Sequence, residues 1–228
     1  GDVYKRQLLY MNYDSVPLRD FKELNDWETV IFVYQSALKQ VETKIDILNG
    51  EFQHRHKYNP IEHVKSRIKT PESIVKKLKR HGYESSIENM VRYVNDIAGI
   101  RISCSFTSDI YLIADMISKQ NDLTILARRD YMKNPKKSGY RSYHMLVTTP
   151  VFLSDSIIDT KVEIQIRTVA QDFWATLEHK MHYKFEGDGP DYITKELREC
   201  ARYVAELDTR MEELNNEIQK YGKLSDKK

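Results

Sequence analysis

Two cysteines in 228 residues are too few for a disulfide framework. Cys104 and Cys200 have no CxxC partner and no zinc-type spacing, so a reduced, cytoplasmic setting is expected. No apolar run approaches the roughly 20 residues that a membrane helix needs. The first residues lack the apolar stretch of a secretory signal, and no membrane partner is expected. The chain has no repeats and no low-complexity tracts. It has no HExxH either: His179 and His182 are three apart with no glutamate between them, which argues against a zinc-protease site. The net charge of +2 excludes a uniform polycation. The stretch Gly1–Tyr10, followed by Met11, is read as a remnant ahead of the natural start.

What is present is unevenly placed. Between Lys65 and Arg80 seven basic residues face one acid, Glu72, and between Arg128 and Arg141 six face one acid, Asp130. The C-terminal segment is acidic instead, with Glu206, Asp208, Glu212, Glu213 and Glu217. Two local cation clusters on a nearly neutral chain point to bound phosphates, on a nucleotide or on nucleic acid.

Periodicity organises the rest. Apolar residues at steps of three and four predict a long helix over 20–55, broken at Tyr58–Pro60. Val64–Lys69 is extended. Thr70 and Pro71 open a helix that stops at Gly82, and Ser86 caps a short helix through Tyr93. Strands are predicted at Ala98–Cys104, Leu123–Tyr131, Ser142–Thr149 and Lys161–Arg167, with a helix from Ser108 or Asp109 to about Gln120. Thr168 caps a helix to about Phe185 that is expected to bury Phe173, Trp174, Leu177 and Met181. Gly187–Pro190 breaks the chain before a last helix to about Tyr221. The outcome is a sheet of four or five strands with interleaved helices and helical arms at both ends.

Several constellations could carry chemistry. In Lys161–Arg167 the residues Val162, Ile164 and Ile166 face one way, and Lys161, Glu163, Gln165 and Arg167 the other. That is either a sheet with one wet face or the floor of a site. Ala98–Ser103 sorts in the same way, with Arg101 on the polar side and Asp96 just before the strand. Asp96 and Glu163 could together hold Mg²⁺, although Asp96 alone reads as a turn residue. On the helix after Pro71, Ser73, Lys77 and Arg80 share one arc: a solvated basic face, or a phosphate cradle at a helix start. In Lys136–His144, Gly139 permits a tight turn and Tyr140 could stack on a base, with Lys136, Arg141 and His144 near its phosphates; a wet hairpin tip gives the same pattern. Glu178 and His182, four apart, read as an exposed pair.

Taken in order, Ser66–Leu78, Asp96-Ile-Ala-Gly-Ile-Arg-Ile102, Arg129-Asp-Tyr131, Lys136–His144, Glu163-Ile-Gln-Ile-Arg-Thr168 and Phe173-Trp-Ala-Thr-Leu-Glu-His179 resemble the synthetase domain of the RelA/SpoT family. Asn59–His63 and the terminal helices resemble its small, stand-alone, RelP-like branch. The resemblance implies an α+β, nucleotidyltransferase-like fold: a mixed sheet of about five strands flanked by helices, with long N- and C-terminal helices. It places a synthetase domain at 59–186 between helical segments at 11–58 and 187–228.

It also implies an activity and roles. The enzyme would transfer the β,γ-pyrophosphate of ATP to the 3′-hydroxyl of GDP or GTP, with Mg²⁺ as cofactor. Arg67 and Arg101 would sandwich adenine, and Lys69, Ser73, Lys77 and Arg80 would hold the ATP phosphates. Asp96 and Glu163 would carry the metal, and Glu163 would help to deprotonate the 3′-hydroxyl. Tyr140 would stack on guanine, with Lys136 and His144 near the acceptor phosphates and Arg129, Gln165 and Arg167 lining the same cleft. Small members commonly form homotetramers through their terminal helices. The chain has no His-Asp dipeptide, which the family's hydrolase motif requires, so alarmone breakdown is not expected. A non-catalytic RNA-binding protein is the competing reading of the basic clusters and tyrosines; it makes no use of Asp96 or Glu163, and RNA as a regulatory partner of the enzyme is compatible with the synthetase reading.

Overall fold

The computed structural model describes residues 26–184 and 190–225. The predicted onset at residue 20, Gly1–Met11, most of the Gly187–Pro190 break and the side chain of His182 lie outside the described residues. The elements run α1 (Trp27–His56), β1 (Ile61–Ile68), α2 (Pro71–Arg80), α3 (Ile87–Tyr93), β2 (Ala98–Cys104), α4 (Thr107–Ser118), β3 (Thr124–Asp130), β4 (Tyr143–Phe152), β5 (Ile157–Thr168), α5 (Val169–Lys184) and α6 (Asp191–Ser225).

Local chemistry sets most of these boundaries. Asp26 caps α1 by accepting from the Thr29 N–H at 2.7 Å, and Lys57 closes it in the left-handed conformation, φ 51°. Thr70 and Ser86 accept from Ser73 N–H and Asn89 N–H, which starts α2 and α3 where Thr70, Pro71 and Ser86 predict. Thr168 and Gln171 cap each other reciprocally at the start of α5. Strands β4 and β5 are longer than their periodicity indicates because they continue as a hairpin to Phe152 and Ile157. Pro150 fits within β4 because β3 has already ended at Thr124, opposite Thr148, and only one ladder remains there.

The strands form one mixed sheet, ordered β1-β2-β5-β4-β3, in which β2 and β5 are parallel and the other pairs antiparallel. The 30 residues of α1 reach roughly 45 Å at 1.5 Å per residue and cross β1, β2, β5 and β4. Val30, Val33, Tyr34, Ala37, Leu38, Val41 and Ile45 join Ile100, Ile102, Val162, Ile164 and Ile166 in the main core, together with Ile110, Ile113 and Ile117 of α4. The apolar face of each central strand is therefore fully used, and the polar face is left for a site.

The helix after β5 departs from expectation. Trp174 is buried, but Phe173 is 65% and Met181 40% exposed, and Leu177 is half-buried. The cap at Thr168 fixes the phase so that Gln171, Trp174 and Ala175 face inward, and Trp174 Nε1 donates to the Leu197 carbonyl of α6 at 2.8 Å. Beyond this contact α6 leaves Tyr203, Leu207, Met211, Leu214, Ile218 and Tyr221 exposed along one stripe.

Candidate active site

Strand registers turn the sequence pattern into a floor. Arg67, Gly99, Glu163, Leu146 and Ala127 lie in one row across the sheet, and Lys65, Arg101, Gln165, His144 and Arg129 in the next. Side chains on alternate residues share a face, so this is the face opposite Ile100, Ile164 and Ile166. It is not a wet surface: Lys161 and Arg167 are each 2% exposed, and Glu163 and His144 are largely covered.

The carboxylates are set among cations. Lys69 Nζ lies 2.8 Å from Oδ2 of Asp96, and Lys77 Nζ lies 2.7 Å from Oδ1. Burial works against the charge on Asp96, but the two lysines together outweigh it and bring its pKa down to about 2. Glu163 has no such partner. Burial, and then the negative charge of Asp96, push its pKa up; it accepts a hydrogen bond from Gln165 Nε2 at 3.1 Å. Lys161, two residues earlier on the same face, donates to the Arg92 carbonyl at 3.2 Å and to Asn95 Oδ1 at 2.9 Å, which ties the end of α3 to β5 beside Asp96. Burial, helped by Lys77, lowers its pKa to about 7.

Two cavities meet at these carboxylates. The smaller, about 220 Å³, is lined by Lys65, Ser66, Arg67, Gly99, Ile100 and Arg101. The larger, about 310 Å³, is lined by Lys77, Arg80, Arg129, Tyr131, Lys136 and His144, with Tyr83 and Tyr93 on one wall. Asp96, Glu163 and Gln165 line both. Gly99 leaves the floor under Arg67 open, although an added Cβ would meet only the Arg67 side chain, at an ordinary 4.0 Å contact.

Several predicted residues sit elsewhere than expected. Lys77 and Arg80, assigned with the donor phosphates, line the larger cavity beside Arg129 and Lys136. Ser73 lines neither cavity; its hydroxyl accepts from Thr70 Oγ1 at 2.9 Å within the helix cap. Arg167 lies beneath the cleft, because Tyr140, Gln165 and Asp172 cover it. Tyr140 is held edge-on to Tyr131 and His144, its hydroxyl 2.9 Å from His144 Nε2. Its ring also has two cations over it, Lys136 Nζ at 4.8 Å and the Arg167 guanidinium carbon at 5.6 Å from the centroid. Arg141 points away and donates to the Met132 carbonyl at 2.9 Å. Glu178 is half-buried rather than exposed.

His144 is neutral. Burial, then Lys136, Arg167 and Arg129, lower its pKa to about 3, so the 3.8 Å approach of its Nδ1 to Glu163 Oε1 is not an ion pair near neutral pH. Among the described residues, no three His, Cys, Asp or Glu side chains gather in a metal cage. The pair Asp96 and Glu163 fits Mg²⁺ better than zinc, because Mg²⁺ takes one or two carboxylates and completes its shell with phosphate oxygens and water.

Lys161, Tyr131, Asp172 and the stacked pair Tyr83–Tyr93, whose rings are 3.9 Å apart at 4°, are absent from the sequence assignment. Lys161 had a detectable signal, since it shares the polar face of β5 with Glu163, Gln165 and Arg167. A third cavity, about 500 Å³, lies between the Tyr131–Ser142 connection and α6. Its Arg202 pairs with Glu199 and Glu206, and Asp208 accepts from Thr168 and Gln171.

Two cation-lined cavities that share a carboxylate wall have the chemistry to bring two phosphorylated ligands to one point. The chain belongs to the RelA/SpoT family: residues 66–188 match the region found in RelA/SpoT proteins. It is 45% identical over 195 residues to GTP pyrophosphokinase YwaC of Bacillus subtilis (strain 168), covering 86% of this chain and 93% of that protein. GTP pyrophosphokinase YjbM of the same organism is 35% identical over 193 residues, 85% of this chain and 90% of its own. Among solved structures, small alarmone synthetase 2 from Bacillus subtilis superposes with a TM-score of 0.77 at 43% identity, over 84% of this chain and 99% of that one. Small alarmone synthetase 1 from Bacillus subtilis, bound to its product pppGpp, gives 0.79 at 34% identity, over 85% and 98%.

Proposed function

We propose that this chain makes (p)ppGpp, transferring the β,γ-pyrophosphate of ATP to the 3′-hydroxyl of GDP or GTP and releasing AMP. The observation that carries this reading is the wall of Asp96, Glu163 and Gln165 common to the two cavities. A transfer enzyme must bring donor and acceptor to one point, and the two nucleotides would meet there.

ATP is assigned to the smaller cavity, with Arg67 and Arg101 against adenine. Its phosphates extend past Asp96 toward Lys69, Lys77 and Arg80. The guanine nucleotide is assigned to the larger cavity, with Arg129, Lys136 and His144 near its phosphates and Tyr140 against its base. The 3′-oxygen bonds to the β-phosphorus as the bond from that phosphorus to the oxygen bridging it to the α-phosphate breaks. The bridging oxygen leaves with AMP. The 3′-hydroxyl proton passes to the Glu163 carboxylate, whose raised pKa suits a general base. The lysines and arginines offset charge on the transferred group, and binding itself aligns the hydroxyl. Asp96 and Glu163 would hold Mg²⁺, which when bound supplies further neutralisation of phosphate charge.

The exposed stripe of α6 is assigned to self-association, as in a homotetramer. Among the described residues no helix is long and apolar enough to cross a membrane, in keeping with a cytoplasmic enzyme. The test is incubation with ATP, Mg²⁺ and GDP or GTP, followed by resolution of the nucleotides. AMP and a 3′-pyrophosphorylated guanine nucleotide should appear in equal amounts. Release of phosphate or pyrophosphate without that product would refute the assignment.

A further inference from the structure

Asp172 stands in the first turn of α5, where a carboxylate is commonly explained by the helix dipole alone. Its surroundings ask more of it. One oxygen, Oδ1, lies 3.7 Å from Nη1 of Arg101 and 3.6 Å from Nε of Arg167, and the carboxylate is largely covered. The two arginines are diagonal neighbours on the same face of the parallel strands β2 and β5, since Arg101 pairs with Gln165 and Ser103 with Arg167. Two guanidinium groups so placed repel each other unless an anion sits between them.

The two arginines reach the cavities differently: Arg167 lines neither and meets their common wall through Gln165. Arg101 lines the smaller one. Arg167 lies under the Tyr140 ring and donates from Nη2 to Gln165 Oε1 at 2.9 Å, and Gln165 Nε2 donates to Glu163 Oε2 at 3.1 Å. From Asp172 there is thus a connected path to the donor side, to the acceptor aromatic and to the carboxylate wall. The contacts at Asp172 itself are loose. Arg101 Nε, Arg167 Nε and Asp172 Oδ1 are buried with no hydrogen-bond partner among the described residues. Buried polar atoms are rarely left so, and sites without ligands often carry long contacts that tighten on binding.

We propose that Asp172 is a positioning residue that holds Arg101 and Arg167 in place for the two nucleotides and couples the two cavities, an inference that rests on the substrate assignment above. A guanidinium stacks on a base only if its plane is fixed, and a carboxylate at its edge fixes it. Asp172 touches neither substrate.

The test compares Asp172→Asn and Asp172→Glu with the wild type, reading the KM for ATP, the KM for GDP or GTP, kcat and the melting temperature. Asp172→Asn should raise both KM values about tenfold or more, because each arginine loses its charged partner. Its melting temperature should change by only a few degrees, and Asp172→Glu should fall between it and the wild type. Binding of a non-hydrolysable ATP analogue, measured with and without GDP, should show a coupling in the wild type that Asp172→Asn loses. Should Asp172→Asn fail to fold, the constants are read on Asp172→Glu, where a shift for both nucleotides supports the proposal and no shift overturns it. Unchanged KM values in Asp172→Asn, with only kcat or the melting temperature lowered, would reduce Asp172 to a helix-start charge and overturn the proposal. Arg101→Ala separates the two levels of the argument: if it leaves ATP binding untouched, the donor assignment itself fails.

Discussion

Replacing Glu163 by glutamine should abolish synthesis while leaving the fold, and it should not destabilise the protein. The side chain lies on the polar face of β5, and its neighbours Val162 and Ile164 are fully buried on the other. Gln is nearly isosteric, so that packing survives. Glu163 accepts one hydrogen bond, from Gln165 Nε2, and the new amide can turn its oxygen to keep it. Burial and Asp96 raise the pKa of Glu163 in the folded state, which means its charge is disfavoured there relative to the unfolded chain. Removing that charge should hold or raise the melting temperature at neutral pH. Catalysis should respond in the opposite way. Loss of a general base costs about 10²–10⁴ in rate, or roughly 3–5 kcal/mol of barrier, and weaker metal binding adds to it. ATP affinity should persist through Arg67 and Arg101, neither of which bonds to Glu163. The assay pairs turnover, from resolved nucleotides, with titration of a non-hydrolysable ATP analogue on folded protein. Turnover within about threefold of the wild type would remove Glu163 from the chemistry.

Other perturbations address the acceptor side, the assembly and pH. Tyr140→Ala should raise the KM for the guanine nucleotide about five- to a hundredfold and hardly alter that for ATP, from a stacking energy of roughly 1–3 kcal/mol; equal loss for both would make Tyr140 a loop support only. Gly139→Ala should also weaken the acceptor, since Gly139 has φ +93° and an added Cβ would lie 2.5 Å from the Ala201 Cβ of α6. Wild-type acceptor kinetics in that variant would show that the loop is free of α6. Light scattering at micromolar concentration should find an oligomer, and Leu207→Gln with Leu214→Gln should shift it toward the monomer; a wild-type monomer refutes the assignment of the α6 stripe. Stability should fall as pH drops below about 6.5. There an unfolded His144 takes up a proton that the folded one refuses until about 3. His144→Gln should flatten that part of the melting-temperature profile, and an unaltered slope would contradict the neutral buried imidazole.

How much of this was legible in the sequence depended on the physics behind each element. Strand β5 could be read because period-2 alternation of Val162, Ile164 and Ile166 has no competing helical interpretation. The starts of α2, α3 and α5 were readable because Thr70, Ser86 and Thr168 act within three residues of themselves. The phase of α5 was not. Phe173 and Trp174 are adjacent and both apolar, and the reciprocal cap of Thr168 and Gln171, together with the docking of Trp174 onto the Leu197 carbonyl, decides which turns inward. The far hairpin of β4 and β5 was hidden by Pro150, which reads as a breaker until the end of β3 is known. In the site, Asp96 and Glu163 could be paired as metal ligands, but their unequal environments could not be read. Lys69 and Lys77 reach Asp96 from β1's end and α2, and nothing local to Glu163 shows that it lacks an equivalent partner.

That inequality is what gives the site its direction. Two carboxylates with the same environment would share charge and proton; these two are driven apart. Asp96, clasped by two ammonium groups, stays ionised at any working pH and is suited to hold a cation or orient the lysines. Glu163, buried and made more basic by Asp96, is the one that can accept a proton. The arrangement is unfavourable for folding, because Lys161, Glu163, His144 and Arg167 are all polar groups withdrawn from water. It persists because each central strand has a second face. Ile100, Ile102, Val162, Ile164 and Ile166, covered by α1 and α4, supply apolar burial from the same residues' immediate neighbours. A substitution on the apolar face should therefore act on stability first and on both nucleotides equally, whereas one on the polar face should separate donor, acceptor and turnover. The alternation of β5 thus divides the work of folding from the work of chemistry at every residue step.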